Sequence, residues 1–237
     1  MKNLNNWDKK TWLSSEAYIS NLIYFLKKKI NFNKKIRILD VGCGRGKIIS
    51  NLSKEYQMSN LPLGIDIIKH KDVAKRIRFT KSNALKYLEK TNEVFDLILF
   101  KQSIHFFKFL EIKKILRISK NRLAPKGKII IFALHPKKNY WPTFRMFKFK
   151  LIKSLKKDET IYKLIKFSFT KYKINYFSFK VKITKDLYLQ MIKNRFNSCL
   201  LNFSLKELKK GIEEINHRYK KELTFFDKLI CITYEKK

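Results

Sequence analysis

The chain has 237 residues, 45% of them hydrophobic and 31% charged, which suits one ordinary domain with an addition and excludes a low-complexity tail. Its formal net charge is +36, and no stretch free of Asp, Glu, Lys and Arg exceeds ten residues, which excludes a transmembrane helix. Three cysteines, Cys43, Cys199 and Cys231, are odd in number and far apart, which excludes a disulfide framework or a Cys-rich zinc site and points to a reducing cytoplasm.

In chain order, the N-terminus carries Asp8 and the tryptophans Trp7 and Trp12 and lacks an apolar run, so no secretory signal is expected. Residues 14–29 have helical spacing, with Ser14 or Ser15 as cap and Tyr18, Leu22, Ile23 and Leu26 on one face. Ile36–Val41 is a short apolar strand ending at a glycine cluster, and a helix follows from about Lys47 to Tyr56. Leu61–Ile68, Arg76–Thr80, Val94–Phe100 and Lys128–Leu134 are further strands, the last following a turn at Pro125 and Gly127. Lys108–Leu123 is an amphipathic helix between the last two. Strands that are apolar almost throughout and separated by helical patterns predict a parallel sheet covered on both faces, with ligands at the carboxyl ends of its strands. Ser204 and Glu207 form a capping box that opens a helix to about Lys221; Phe177–Ile183 and Leu229–Tyr234 are candidate antiparallel edge strands.

The charge is uneven: +19 over residues 1–136, +13 over the 49 residues 137–185, and +4 over 186–237. The middle block is rich in aromatics and is expected to be a helical cap at 137–200 inserted in a single domain of 1–237. Lys outnumbers Arg 46 to 9, with 17 Asn and only 5 Ala. That profile fits the codon drift of an AT-rich genome as well as a surface for nucleic acid or an anionic membrane.

Three of the six glycines lie in five residues, Asp40-Val-Gly42-Cys43-Gly44-Arg-Gly46, between the first strand and its helix. Glycine there permits a tight turn and close backbone approach to a ligand. A dinucleotide fingerprint would need Gly at Lys47, and a P-loop would need Gly at Val41 and a hydroxyl at Ile48. What remains is an acidic residue followed by G-x-G-x-G.

Ile38–Gly46 resembles motif I of the class I S-adenosylmethionine-dependent methyltransferases, and further motifs fall in order. Gly64-Ile-Asp66-Ile67 resembles the end of the second strand, where the family's acidic residue takes both ribose hydroxyls; a carboxylate suits this as an acceptor with two oxygens. Ser82-Asn83-Ala84 is similar to the segment at the adenine edge, with Asn83 where many relatives have Asp. Val94–Phe107 resembles the fourth strand and its loop, and Leu123–Phe132 the fifth. The resemblance implies a Rossmann-like, mostly parallel seven-stranded α/β sheet with an antiparallel C-terminal edge. It implies S-adenosylmethionine as cofactor, held by Asp40, Gly42, Cys43, Gly44, Gly46, Asp66, Ile67, Asn83, Ala84 and Lys101. Within the turn, Asp40 either touches the ligand or orients the backbone, and Cys43 reads as a small apolar filler. Segments near Arg195–Leu208 and Phe226–Thr233 are similar to small-molecule enzymes of the trans-aconitate methyltransferase-like kind.

His105 and Gln102, in the loop after the fourth strand, are the catalytic candidates; an imidazole with an ordinary pKa near 6.5 suits a general base, or the ring simply packs. His70, His135 and His217 have no metal-ligand spacing, so no metal is expected. Trp7, Trp12 and Tyr18 either cage a sulfonium or pack on the sheet. Together with the cap residues Tyr140, Arg145 and Arg195, Trp12 and Tyr18 are the substrate-contact candidates. An Arg retained in a Lys-dominated chain suits bidentate capture of an anionic acceptor, or a structural ion pair. The expected reaction is methyl transfer to O, N or S of a small molecule. The alternatives are an RNA methyltransferase, without the amino-methylation motif since Lys101-Gln-Ser-Ile stands there, or a cofactor-binding fold without turnover.

Overall fold

The computed structural model describes residues 11–237, so Trp7 lies outside the described residues. Among the described residues, fourteen α-helices and β-strands follow one another along the chain. They are α1 (Glu16–Lys27), β1 (Ile38–Val41), α2 (Lys47–Glu55), β2 (Leu63–Asp66), β3 (Arg78–Lys81), α3 (Ala84–Lys90), β4 (Phe95–Lys101), α4 (Phe109–Asn121), β5 (Leu123–Leu134), α5 (Arg145–Ser168), β6 (Lys173–Thr184), α6 (Lys185–Lys193), α7 (Leu205–Arg218) and β7 (Glu222–Glu235). The strands form a seven-stranded sheet of order β3-β2-β1-β4-β5-β7-β6, parallel from β3 to β5 with an antiparallel C-terminal edge. This is the Rossmann-like α/β architecture expected from the sequence.

The chain divides into two compact units. One comprises Leu22–Ala133, Thr160–Phe177 and Leu229–Lys237. Every residue of β1 is buried, which is why its sequence lacks alternation. Leu39, Val41, Ile98, Phe100, Ile129 and Ile131 pack with Ile112, Ile115 and Leu116 of α4 in one core. The pairing of Asp40 with Gly64 and with Leu99 aligns the carboxyl ends of β1, β2 and β4. Continued beyond Val41, that register sets Gly42, Asp66 and Lys101 level along one sheet edge.

The other unit comprises Leu134–Glu159, Ser178–Lys228 and the described residues up to Asn21. Its centre is aromatic. Trp12 meets Trp141, Phe196 and Phe225 edge-on at 5.1–5.5 Å and stacks with Tyr188 at 6.4 Å. Buried Asp227 accepts from Trp12 Nε1 (3.3 Å) and faces the Tyr18 hydroxyl, whose pKa is driven well up by burial first and Asp227 second.

Several elements differ from expectation. The segment 137–200, expected as a helical cap, contains the 12-residue strand β6 between α5 and α6. The turn at Pro125 and Gly127 is an irregularity inside β5, with Lys126 at φ +60° and a register shift against β4 between Phe95 and Leu97. Helix α3 lacks a long periodic face; its start is fixed by Asn83, whose Oδ1 accepts from Leu85 N (2.9 Å) and Lys86 N (3.2 Å). Strand β7 begins seven residues before the expected Leu229; its first half alternates buried and exposed residues, with the buried acid Asp227 interrupting the apolar pattern. The Ser204–Glu207 capping box is present as expected.

Gly211 of α7 lets that helix sit against Phe144, since a Cβ there would fall 2.6 Å from the ring. Overpacking of this kind outweighs the better helix propensity of Ala. Gly211→Ala is therefore expected to lose a net ~1–2 kcal/mol, read as a lower urea midpoint with an unchanged slope.

Candidate functional site

The glycine turn leaves β1 with Gly42, Gly44 and Gly46 at φ +74°, +56° and +70°, the left-handed region that side chains with a Cβ rarely occupy. Two of the three are also closed in by neighbours. A Cβ on Gly42 would fall 2.5 Å from Ser103 Cβ, and one on Gly46 would strike Ile77. Gly44 faces open space, so its conformation alone calls for glycine and its backbone is accessible to a ligand. Gly42 N and Cys43 N both donate to the Ile65 carbonyl at 2.8 and 3.1 Å, and Ser103 Oγ donates to the Val41 carbonyl at 2.5 Å. The turn is thus stitched to the ends of both neighbouring strands.

Asp66 accepts from Gly44 N at 2.8 Å through Oδ2 and from Ile68 N at 3.0 Å through Oδ1. Each oxygen keeps a further lone pair for a ligand hydroxyl. Ile67 beside it is half exposed and offers an apolar face. Asp40 is 2% exposed, and its Oδ1 has no hydrogen-bond partner. Burial and the nearby Asp66 push its carboxyl up to about 7, with Lys101 opposing. Cys43 covers Gly64, where a Cβ would lie 2.6 Å from its Sγ, and burial, reinforced by Asp40 and Asp66, drives its thiol far up. The filler reading of Cys43 fits this inert environment.

Beyond β4, Gln102 takes φ +54° while its N donates to Phe132 O at 2.8 Å, which turns the chain sharply off the sheet edge. A short 3₁₀ turn, Ile104–Phe106, then presents His105, half buried with its ring 4.2 Å from that of Phe106. One compact unit therefore brings together Asp40, the glycine turn, Asp66, Ile67, Asn83, Ala84, Lys101, Gln102 and His105. Within that set, the Asn83 amide oxygen caps α3 and Ala84 is buried as its first residue. Asn83 therefore contributes at least a structural role that the motif did not specify.

Two supports of the turn were not singled out from the sequence. Ser103 locks Val41, as above. Arg45, 4% exposed, donates from Nε to Asp72 Oδ1 at 2.9 Å, while its carbonyl accepts from Ala74 N at 2.8 Å. Asp72 lies in an aperiodic stretch 27 residues away, so no local pattern pairs the two.

The substrate-contact candidates all lie in the other unit. Trp12 and Tyr18 are 3% and 0% exposed, and both are directed at Asp227. Of the two readings, caging and packing, this burial favours packing for Trp12 and Tyr18. Arg195 stands at φ +55° just after α6, where Phe196 N bonds back to Met191 O and Arg195 N to Ile192 O, a Schellman-type ending. Its guanidinium donates through Nη1 to the carbonyls of Leu200 and Leu201, so one end of the fork is tied to the backbone. Tyr140 is 81% exposed. Arg145 is exposed at the start of α5, its backbone N held by the Glu214 carboxylate at 2.9 and 3.1 Å.

The residues at the sheet edge fit an adenosyl ligand: an open backbone at Gly44, a carboxylate that accepts from its N–H, an apolar Ile67 and an unsatisfied buried acid. A family model described as a methyltransferase domain matches residues 32–195. No curated protein matches the sequence. Among solved structures, a SAM-dependent methyltransferase from Archaeoglobus fulgidus is 20% identical with a TM-score of 0.54, covering 92% of this chain and 94% of its own. A protein from Anabaena variabilis described as a methyltransferase from an antibiotic biosynthesis pathway is 14% identical with a TM-score of 0.63, covering 91% and 96%. A precorrin-6y C5,15-methyltransferase from Geobacter metallireducens is 12% identical with a TM-score of 0.54, covering 94% and 90%. At these identities the likeness establishes the fold.

The raised carboxyl of Asp40 carries a stability signature. Between the ordinary aspartate range and about 7, the folded state holds a proton that the unfolded state has released. The stability of the ligand-free protein therefore falls as pH rises through that window and levels off above it. From pH ~5 to ~7.5 the loss amounts to about 2–3 kcal/mol on this account. Asp40→Asn removes that loss, so urea unfolding at the two pH values should show the variant gaining on the wild type at the higher one. Parallel pH profiles for the two proteins would show that Asp40 ionises freely in the fold.

Proposed function

We propose that this chain, which belongs to the methyltransferase-domain family and takes S-adenosylmethionine as its cofactor, delivers the methyl group to a nucleophilic oxygen, nitrogen or sulfur of a small molecule. The observation that carries the cofactor side of this reading is the shared edge of β1, β2 and β4. There the three left-handed glycines, Asp66 and the buried, unsatisfied Asp40 come together, and Gly44 faces open space. Gly42, Gly44 and Gly46, with Cys43, would form the cradle. Asp66 would accept from the ribose hydroxyls, Ile67, Asn83 and Ala84 would border the adenine, and Asp40 and Lys101 would border the amino-acid end. When bound, the cofactor supplies a methyl group on a sulfonium, ready for in-line displacement. The chain's own residues then provide alignment and exclusion of water, with a base only where the nucleophile carries a proton. His105 is the proposed base, at the end of the turn that Gln102 starts, and Gln102 is proposed to help position the acceptor.

The match over residues 32–195 runs through segments of both compact units, which supports reading 1–237 as one methyltransferase domain. An anionic acceptor would dock on Arg145 or Arg195, with Arg145 favoured because Nη1 of Arg195 is tied to the backbone. The free thiols of Cys43, Cys199 and Cys231 suit a cytoplasmic setting. The decisive experiment incubates the protein with methyl-labelled S-adenosylmethionine, a small-molecule extract and RNA, and then fractionates the label. Label in small molecules is expected; label in RNA would transfer the assignment to an RNA methyltransferase, a reading to which the +36 charge is suited.

Asp66→Ala should weaken S-adenosylmethionine binding by about 2–4 kcal/mol in calorimetric titration, because two hydroxyls lose a charged acceptor. The same change frees Gly44 N and Ile68 N. Asp66→Asn retains an acceptor for one of those amides and should fall between wild type and Ala. Unchanged affinity in a folded Ala variant would remove Asp66 from the ribose site.

A further inference from the structure

Helix α5 presents two apolar faces where an ordinary surface helix has one. In the unit that contains Arg145–Glu159, Phe144, Phe147, Leu151 and Leu155 are buried and account for its packing. On the opposite side Met146, Phe149 and Ile152 follow one another at every third residue, 45%, 70% and 47% exposed. Neighbours three apart on a helix lie on one face, so the three form a continuous apolar ridge. Leu205, 81% exposed at the start of α7, stands between Ser204 and Lys206, which line a groove of about 380 Å³ together with Met146. Exposed apolar side chains scattered singly need no explanation, but a contiguous ridge of this kind marks an interaction surface.

The surroundings of the ridge select its partner. The 21 residues from Lys137 to Lys157 hold eight basic side chains and no acidic one. Lys148, Lys153 and Lys156 are exposed on α5 around Phe149, and Lys206 and Lys210 line the groove, which also holds Glu207 and Glu214. A second copy of the chain would bring like charge against like charge. Single-stranded nucleic acid is held by aromatic platforms and Arg planes, whereas three of these four apolar residues are aliphatic and the flanking cations on α5 are lysines. An aliphatic ridge in a ring of lysines is instead the pattern of a helix lying in the interface of an anionic bilayer, with the ridge among the acyl chains and the ammonium groups at the phosphates. No helix among the described residues is long and apolar enough to cross a membrane, so the contact is peripheral.

We propose that the outer face of α5, with Leu205 beside it, is a membrane-docking surface that seats the enzyme on anionic phospholipid. The assignment is independent of the methyl acceptor, because all of its residues lie outside the cofactor site.

The test is vesicle flotation of the full chain, with vesicles of phosphatidylcholine alone and of phosphatidylcholine mixed with phosphatidylserine. Wild type should bind the mixed vesicles at least about tenfold more tightly than the neutral ones. Met146→Ser combined with Phe149→Ser should weaken that binding by roughly tenfold, since these side chains would no longer leave water. Lys148→Glu combined with Lys153→Glu should weaken it at least as much. All four side chains are exposed, and unchanged S-adenosylmethionine affinity of each variant would confirm that it is folded. Equal binding to both vesicle types, no binding to either, or wild-type binding by the Met146/Phe149 variant would overturn the proposal. Displacement of the protein from vesicles by polyuridylate, with loss of polyuridylate binding in the same variant, would assign the ridge to nucleic acid and overturn it equally.

Discussion

The cofactor site depends on one constraint: a buried parallel strand must end, within five residues, in a turn whose backbone stays open to a ligand. Strand β1 is buried on all four residues, so its end cannot drift without breaking the pairing of Asp40 with Gly64 and Leu99. The turn is obtained by three left-handed glycines and held by hydrogen bonds that leave Gly44 uncovered. Asp66, one register step along, both fixes Gly44 N and retains acceptor capacity. Ser103, from the loop after β4, closes the other side through Val41 O. Gly42 is as small as it must be because Ser103 stands against it. The site is therefore a property of strand register before it is a property of any single side chain.

That register also sets the electrostatics. Two carboxylates, Asp40 and Asp66, end adjacent parallel strands, and Asp40 is taken out of water by the same burial that stiffens β1. That burial and their mutual repulsion raise Asp40, with Lys101 from the end of β4 as partial compensation. A cationic ligand at this edge relieves the repulsion, so the ligand-free protein holds an unfavourable charge arrangement that binding improves. The neighbouring thiol, Cys43, feels the same two carboxylates and stays protonated, which suits a filler and not a nucleophile.

The sequence made most of this legible because each element carries its signal locally. Asp40 to Gly46 and Gly64 to Asp66 are contiguous motifs at strand ends, and apolar runs mark β1, β2, β4 and β5, whereas β3, Arg-Phe-Thr-Lys, carries a weaker signal. What stayed hidden is non-local or masked by polarity. The Arg45–Asp72 pair and the Ser103 lock join segments whose spacing has no period. The first half of β7 is disguised by Asp227, a buried acid in a strand, whose neighbours Trp12 and Tyr18 lie more than 200 residues earlier. Helix α3 is too short for a periodic face and shows itself only through the Asn83 cap. Strand β6 was foreseen only over its inner half; its outer residues alternate with lysine and tyrosine and are largely exposed.

The nine arginines show how composition and geometry divide the positive charge. In a chain that defaults to lysine, an arginine that persists points to a requirement for the planar fork. For four of the nine, that requirement is met inside the protein. Arg37 clasps Asp96 through Nε and a terminal nitrogen at 3.1 and 3.0 Å, and Arg78 engages Glu93 and reaches Leu61 O. Arg45 pins the glycine turn to Asp72, and Arg195 caps the carbonyls of Leu200 and Leu201. Lysine, a flexible point charge, covers the surface instead, where position matters more than orientation. The two cations thus divide the work between them. Arginine holds the fold at fixed geometry, and lysine sets the field that an anionic partner meets first. A high Lys-to-Arg ratio has physical consequences wherever lysines gather around exposed apolar side chains, as they do on α5.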